Sequence, residues 1–266
     1  MLSLPHVRPI ALSAARAAVT FEAGTVEVVS VRLDADPATV REFAHCLSDG
    51  ERLRASRFAF ARDRSRYIIG RARLRFLLGS RLGVQPNAVE LVYGSRGKPA
   101  LSQRFADSDL RFNVSHSEHQ AVYAFSRGRE IGIDVETVRD LRDADDIAAR
   151  FFSRRENEAY LALDPRDRPQ GFFNCWTRKE AFIKALGDGL YFPLDRFDVS
   201  LAPGEPAKIL RVGRMPGETC EWAIQDLGLA SGLVGAVVVQ KALPLTRGHE
   251  KMRWRRVEKR GSAHHD

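Results

Sequence analysis

Two carboxylates placed two residues apart, and a third on a separate segment, are the groups best suited to chemistry in this 266-residue chain. In Ile131-Gly132-Ile133-Asp134-Val135-Glu136 the pattern is that of a strand, where residues two apart project from the same face. Asp134 and Glu136 then point together, while Ile133 and Val135 face the opposite way. Carboxylates held this close repel each other unless a cation lies between them or one takes up a proton. Hard oxygen donors suit magnesium, above all where phosphate oxygens complete the shell. A solvated strand end carrying two ordinary acids fits the same pattern, and the pair alone does not decide between the readings.

The third carboxylate lies in the segment 172–185. Trp176, Glu180 and Lys184 recur there every four residues and form one helical stripe, drifting by roughly 40° per step. Phe172, Phe173, Ala181 and Phe182 supply apolar surface elsewhere around the helix. Glu180 followed by Lys184 is also the favourable order for a surface ion pair worth only about 0.2–0.5 kcal/mol. Helix physics alone favours that plain reading, although a Trp on the same stripe argues against an open solvent face. A further cluster, Asn113-Val114-Ser115-His116-Ser117, places hydroxyls and an imidazole directly after a strand-like run. Gly94-Ser95-Arg96-Gly97-Lys98-Pro99 is a flexible basic loop. Neither has the spacing of a Walker-type phosphate loop or a dinucleotide-binding glycine motif. Taken by itself, His116 reads as a hydrogen-bonded structural histidine.

The elements that must position these groups follow from periodicity and punctuation. Residues 26–33 alternate as a half-buried strand, and Asp36-Pro37 opens a helix to about residue 47. The Arg-rich stretch 51–82 has helical spacing, with short strands at 89–92 and 111–114. Two strand-like runs, 121–125 and 131–135, are joined by a short polar connection containing Gly128, a hairpin signal. Ser153 and Glu156 have the form of a capping box opening a helix over 154–163. Pro169 precedes a second helix to about residue 186, and Gly187 is placed to stop it. Strands at 196–201, 208–212, 221–225 and 233–239 complete an α+β chain. Its element order repeats: two halves, each with helices packed on an antiparallel sheet. The division expected is a leader over 1–24, an N-terminal half over 25–127, a C-terminal half over 128–245 and a basic tail over 246–266.

Composition bounds the function classes. Hydrophobic content of 44% with 29% charged residues is that of an ordinary soluble globular chain. No apolar run approaches membrane-spanning length, and the first twenty residues, interrupted by Pro5, Arg8, Pro9 and Arg16, lack the compact core of a secretory signal. A loose leader on a cytoplasmic protein is expected. Cys46, Cys175 and Cys220 are odd in number and far apart, forming neither a disulfide framework nor a zinc pair. Cys175 reads as a small buried hydrophobe. The net charge of +8 attracts anions, whether nucleic acid, a phosphorylated cofactor or an acidic protein. No nucleic-acid recognition motif or aromatic-interleaved basic surface is visible.

The motifs together resemble a known family. Gly132-Ile133-Asp134-Val135-Glu136, followed some forty residues later by Trp176-Thr177-Arg178-Lys179-Glu180-Ala181-Phe182-Ile183-Lys184-Ala185, is similar to the two signatures of the 4′-phosphopantetheinyl transferases. The resemblance is to the Sfp type, which activates polyketide and nonribosomal peptide synthetases. Gly97-Lys98-Pro99, Asn113 to Ser117, Arg150-Phe151-Phe152-Ser153 with Glu156, and Gly189-Leu190 with Pro193-Leu194-Asp195 match in order and approximate spacing. The likeness covers roughly 26–239 and leaves out only the leader and the tail.

The resemblance implies two pseudosymmetric α/β halves with coenzyme A in the cleft between them. The phosphopantetheine arm would pass to a serine of an apo acyl or peptidyl carrier protein, in fatty-acid, polyketide or peptide synthesis, with release of 3′,5′-ADP. By the same likeness Asp134, Glu136 and Glu180 bind Mg2+ with the coenzyme A diphosphate. Glu180 accepts the serine proton directly or through water, and Lys184 offsets or protonates the leaving phosphate. Lys98 is expected near the adenine, Ser115 and His116 near the phosphates, and Lys179 and Lys184 as further phosphate contacts. Arg66 is expected to meet the nucleotide. Arg54 stands where the family has a lysine for the 3′-phosphate, while the second lysine of that pair corresponds to Glu51. Arg57 or Arg62 is expected to take over that contact. Acidic carriers would complement the basic chain, which is expected to act as a monomer, without nucleic acid or membrane. Two alternatives stand beside this reading: a different magnesium phosphotransferase using the same acids, which ATP turnover without coenzyme A would reveal, and a basic nucleic-acid-binding protein, which strongly salt-dependent duplex binding without carrier modification would reveal.

Overall fold

The alternating segments pair into two main antiparallel sheets stacked face to face. The computed structural model describes residues 14–21, 24–94, 97–187, 192–212 and 221–241. Residues 1–13 of the leader, the Gly189-Leu190 match, Cys220 and the basic tail lie outside these. The first half runs β1 (Ala14–Phe21), β2 (Gly24–Arg32), α1 (Pro37–Ala44), α2 (Asp49–Ser56), α3 (Ala61–Leu82), β3 (Leu91–Tyr93), β4 (Pro99–Leu101), β5 (Leu110–Ser117) and β6 (Gln120–Arg127). Next come β7 (Ile131–Thr137), α4 (Ala144–Phe151), α5 (Arg154–Leu161), α6 (Arg168–Leu186), β8 (Phe197–Val199), β9 (Ile209–Val212), β10 (Trp222–Asp226) and β11 (Leu233–Gln240).

One sheet has the order β1-β2-β6-β5 and the other β10-β11-β7. Between them Val26, Val28, Val122 and Ala124 meet Ile131, Ile133, Val135, Val237 and Val239 in a shared core. The outer face of the first sheet (Val29, Val31, Ala121, Tyr123) is covered by α1 and α3 through Phe43, Ile69, Ala72 and Leu78. The outer face of the second (Ala236, Val238) is covered by α6 through Ala181, Phe182 and Ala185. Each large apolar side chain so buried contributes about 1.5–3 kcal/mol, whereas an exposed ion pair contributes about 0–1 kcal/mol. The alternation of apolar residues therefore sets the layers. The expected α+β class, with helices packed on antiparallel sheets, is what forms.

Local signals hold at several ends. Ser153 Oγ accepts from Glu156 N at 3.2 Å while Glu156 Oε2 accepts from Ser153 N at 2.8 Å, closing the capping box. Gly187 ends α6 in the left-handed region, with φ of 80°.

Four expectations are corrected. The runs 121–125 and 131–135 do not form a hairpin, because both edges of β6 are taken by β2 and β5, and β7 pairs with β11. Strand β7 instead lies across β6 in the second layer, its Ile131, Ile133 and Val135 facing Val122 and Ala124. The loose leader is not loose from Ala14 onward. Strand β1 pairs with β2 from Ala14↔Val31 to Phe21↔Gly24. Its small residues are largely exposed and only Phe21 is buried, so no amphipathic period marked it. The helical stretch 51–82 is two helices, α2 and α3, broken at residues 57–60. Finally, Ser115, His116 and Ser117 lie within β5 rather than after it.

Candidate functional site

Gly132 is what lets the two signature segments touch. A Cβ there would lie 2.0 Å from the Ala181 carbonyl oxygen, 2.4 Å from Ala185 N and 3.0 Å from Ala185 Cα. Helix α6 therefore rests directly on the backbone of β7, with small residues on both sides of the contact. Strand alternation then aims Asp134 and Glu136, like Gly132, at α6, on which Glu180 and Lys184 stand one turn apart.

Asp134 is buried at 4% exposure. Its Oδ1 accepts from Ser115 Oγ at 2.7 Å and from Lys184 Nζ at 2.6 Å, while its buried Oδ2 has no hydrogen-bond partner among the described residues. Glu136 Oε2 accepts from Ser117 Oγ at 2.9 Å and lies 4.0 Å from Arg139 Nη1. Burial pushes the Glu136 carboxyl up; the Ser117 bond opposes this and the Asp134 charge adds to it. Burial also pushes Glu180 up, with Lys184 opposing and Asp134 and Glu136 reinforcing. Among the described residues no hydrogen bond engages the Glu180 carboxylate. Among those residues, too, no three His, Cys, Asp or Glu side chains converge tightly enough to enclose a metal unaided.

Strand β5 is the wall between this cluster and a cavity of about 850 Å³. Its Asn113, Ser115 and Ser117 face β7. Its Val114 and His116, on the other side, line the cavity. Arg54, Arg62, Arg66 and Arg71 converge there with the rings of Phe58 and Tyr67. Arg66 Nε donates to Asp34 Oδ1 at 2.8 Å, and this bond holds the Asp34 carboxyl below its usual value. His116, exposed along the cavity wall, is pushed down by desolvation there and by the nearby Lys184 cation, against a backbone hydrogen bond and the Asp134 charge. Lys98 Nζ donates to the Lys184 carbonyl, tying the loop before β4 to α6. Burial lowers the Lys98 ammonium as well.

Asp134, Glu136, Glu180, Lys184 and Ser115 are thus brought together, with Lys98 and His116 beside them and Arg54 and Arg66 across the cavity. Lys179 is not. It is fully buried at 0% exposure, with Nζ 2.7 Å from Glu156 Oε2 and donating to the carbonyls of Leu194 and Phe197 at 2.6 and 2.7 Å. The expected phosphate contact is corrected to a structural ion pair, since all three ammonium donors already have partners. Glu51 is likewise structural. It caps α2 through Ser48 and binds Arg75 at 2.6 Å, which explains an acid at that position. Of the two substitutes expected for the missing lysine, Arg62 lines the cavity, whereas Arg57 caps the C-terminus of α2. Sequence reasoning missed Arg71, whose guanidinium lies over the Tyr67 ring 5.7 Å from its centroid. Its position four residues after Tyr67 on the face that carries Gly70 and Leu74 was the available signal. Cys175 is fully buried and its thiol is pushed well up, as a small hydrophobe would be.

Comparison with known proteins places this geometry in a family. Residues 130–237 match the family model described as the 4′-phosphopantetheinyl transferase superfamily, and residues 34–127 match the one described as 4′-phosphopantetheinyl transferase, N-terminal. The chain is 39% identical over 221 residues to the 4′-phosphopantetheinyl transferase HetI of Nostoc sp., covering 83% of this chain and 90% of that protein. It is 32% identical to the 4′-phosphopantetheinyl transferase Sfp of Bacillus subtilis over 60% of this chain and 68% of that one. It is also 29% identical to the human L-aminoadipate-semialdehyde dehydrogenase-phosphopantetheinyl transferase, over 72% of this chain and 66% of that protein. With both halves matched and α6 carrying Glu180 and Lys184 against the carboxylates of β7, the chain belongs to the 4′-phosphopantetheinyl transferase superfamily, as a transferase of the holo-acyl-carrier-protein synthase type.

Proposed function

We propose that this enzyme moves the 4′-phosphopantetheine arm of coenzyme A to a serine hydroxyl of an acidic apo acyl or peptidyl carrier protein, releasing 3′,5′-ADP. The observation that carries the reading is the division made by β5, with an arginine-lined cavity on one side and a carboxylate cluster around the buried Asp134 on the other. Guanidiniums bind phosphates as forks, so Arg54, Arg62, Arg66 and Arg71 suit a polyanionic nucleotide. Lys98 and His116 extend the same wall toward the cluster.

The donor set fits magnesium. Three carboxylates supply hard oxygens, and the buried Asp134 Oδ2 has no hydrogen-bond partner among the described residues. Magnesium is commonly held by one or two carboxylates together with substrate phosphates, so a site left incomplete by protein groups alone is in keeping with it. Bound there, it would supply charge neutralisation and alignment for the diphosphate oxygens. The chain's own groups account for the proton movements. Glu180, whose carboxyl burial pushes up, takes the serine proton as the new serine O–P bond forms. As the diphosphate P–O bond breaks, the Lys184 ammonium, held by Asp134 and Ser115, would offset charge on the leaving phosphate or protonate it. The net charge of +8 would draw an acidic carrier toward the chain and help orient it.

The test follows release of 3′,5′-ADP from coenzyme A with an apo carrier. Chelation should stop it and added Mg2+ should restore it. Release undiminished by exhaustive chelation would remove the metal from the account. Turnover of ATP without coenzyme A would instead establish a different phosphotransferase.

A further inference from the structure

Strands β5 and β7 run beside each other but belong to different sheets, and no backbone ladder joins them. Their facing edges would leave buried amide groups unpaired, at about 1–3 kcal/mol each, unless side chains replaced the ladder. Alternate residues of β5 do so. Asn113 Oδ1 accepts from Ile133 N at 3.0 Å, and Ser117 Oγ accepts from Thr137 N at 3.1 Å. Between them Ser115 Oγ donates to Asp134 Oδ1 at 2.7 Å, and Ser117 Oγ donates to Glu136 Oε2 at 2.9 Å. Each β7 carboxylate therefore has one oxygen tied by a serine of β5. The other oxygen is left over: Asp134 Oδ2 is buried without a partner, and among the described residues no hydrogen bond engages Glu136 Oε1.

We infer that Ser117 is a positioning residue for Glu136, the end of a seam through which the N-terminal sheet presets both β7 carboxylates for a divalent cation. Its hydroxyl has one proton to give, and the Thr137 amide already occupies an acceptor direction. Thr137 Oγ1 also approaches this hydroxyl, but at 3.4 Å, so the shorter and charge-assisted bond takes the proton to Glu136 Oε2. That bond leaves Oε1 as the carboxylate oxygen with no hydrogen bond among the described residues. A carboxylate ligand is in general held by such an outer partner, whose loss typically costs 10–100-fold in metal affinity. Asn113 secures the upper part of the same seam, and Ser115 stands at its centre.

The inference rests on the magnesium reading, so the experiment separates the two. Mn2+ binding to the full-length protein with coenzyme A is measured by electron paramagnetic resonance for wild type, Ser117→Ala and Ser117→Thr. Transfer rate is measured against Mg2+ and against coenzyme A. Wild type should bind Mn2+, Ser117→Ala should bind it about 10–100-fold more weakly, and Ser117→Thr, which keeps the hydroxyl, should remain near wild type. The alanine variant should recover kcat at saturating Mg2+ with KM for coenzyme A unchanged. Should it fail to fold, Ser117→Cys, similar in size with a weaker donor, is measured in its place. Mn2+ affinity equal to wild type in the alanine variant would overturn this inference alone. So would an equal loss of metal and coenzyme A affinity, which marks a general structural defect. No Mn2+ binding by wild type would overturn both readings.

Discussion

Replacing Gly132 by alanine tests the packing on which the whole site depends. The added Cβ would stand 2.0 Å from the Ala181 carbonyl oxygen, whereas ordinary contact begins at 3.4 Å. Relief therefore requires α6 and β7 to separate locally by about 1.4 Å, since the obstacle is backbone and no rotamer can yield. Overpacking of this kind costs typically 1–3 kcal/mol, occasionally more. For a chain of this size each kcal/mol lowers Tm by roughly 2–4 °C. The functional cost should exceed the stability cost. Glu180 precedes Ala181 and Lys184 precedes Ala185, so both site residues move with the displaced backbone. A misplacement of about 1 Å can lower rates by about 100-fold. Gly132→Ala is thus expected to melt cooperatively at a modestly lower temperature, yet to load an apo carrier at least about 100-fold more slowly. Urea unfolding and initial rates of carrier loading measure the two effects. Wild-type stability together with wild-type transfer would show that α6 does not lie on β7 as described.

Further substitutions separate the roles of the charged groups. Glu180→Ala should lower transfer by about 10²–10⁴-fold, the usual contribution of a general base, without loss of fold by circular dichroism; near-normal rates would remove Glu180 from the chemistry. Asp134→Ala should be comparably severe and Glu136→Ala milder, because a water can replace the more exposed ligand; initial rates across the three variants give the order, and the reverse would refute it. Lys179→Met leaves Glu156 buried without its cation and should cost about 3–5 kcal/mol in urea unfolding, with KM for coenzyme A unchanged. A raised KM without lost stability would instead restore Lys179 to a phosphate. Acid stability should depend on Asp198. Burial pushes its carboxyl up, but the Arg211 fork at 2.7 and 3.1 Å and the Ser153 hydroxyl outweigh this and hold it below 3.8. A lowered carboxyl contributes stability above the unfolded value, and that contribution is lost as pH falls through the folded one. Asp198→Asn should therefore flatten the decline in stability below about pH 4, and an unchanged acid limb would exclude the pair as its source.

Much of this arrangement was legible because a single period governed it. Ile131, Ile133 and Val135 alternate with Gly132, Asp134 and Glu136, and that alternation alone put the acids on the face that meets α6. The four-residue spacing of Glu180 and Lys184 placed the third carboxylate and a cation together on that helix. Lys179, one position earlier, turns about 100° away. It falls among Phe172, Cys175, Phe182 and Ile183, the buried face, so the helix wheel already argued against a phosphate role. Family likeness had drawn it toward one. Other features left no local trace. The small, exposed residues of β1 carry no amphipathic period, and the Gly128 connection looks the same whether it closes a hairpin or crosses between layers. Only the occupied edges of β6 decide that. The seam of Asn113, Ser115 and Ser117 was invisible for a related reason. Three polar residues at every second position suggest a solvated face until β7 is known to lie against them.

The most direct test of the account is the mass of an apo carrier protein after incubation with this enzyme, coenzyme A and Mg2+. The account predicts that wild type adds one phosphopantetheine to the carrier serine, while Glu180→Ala and Asp134→Ala, folded as wild type, leave the carrier essentially unmodified over the same period. An unchanged mass with wild type across several acyl and peptidyl carriers, or full loading by either variant, would contradict it.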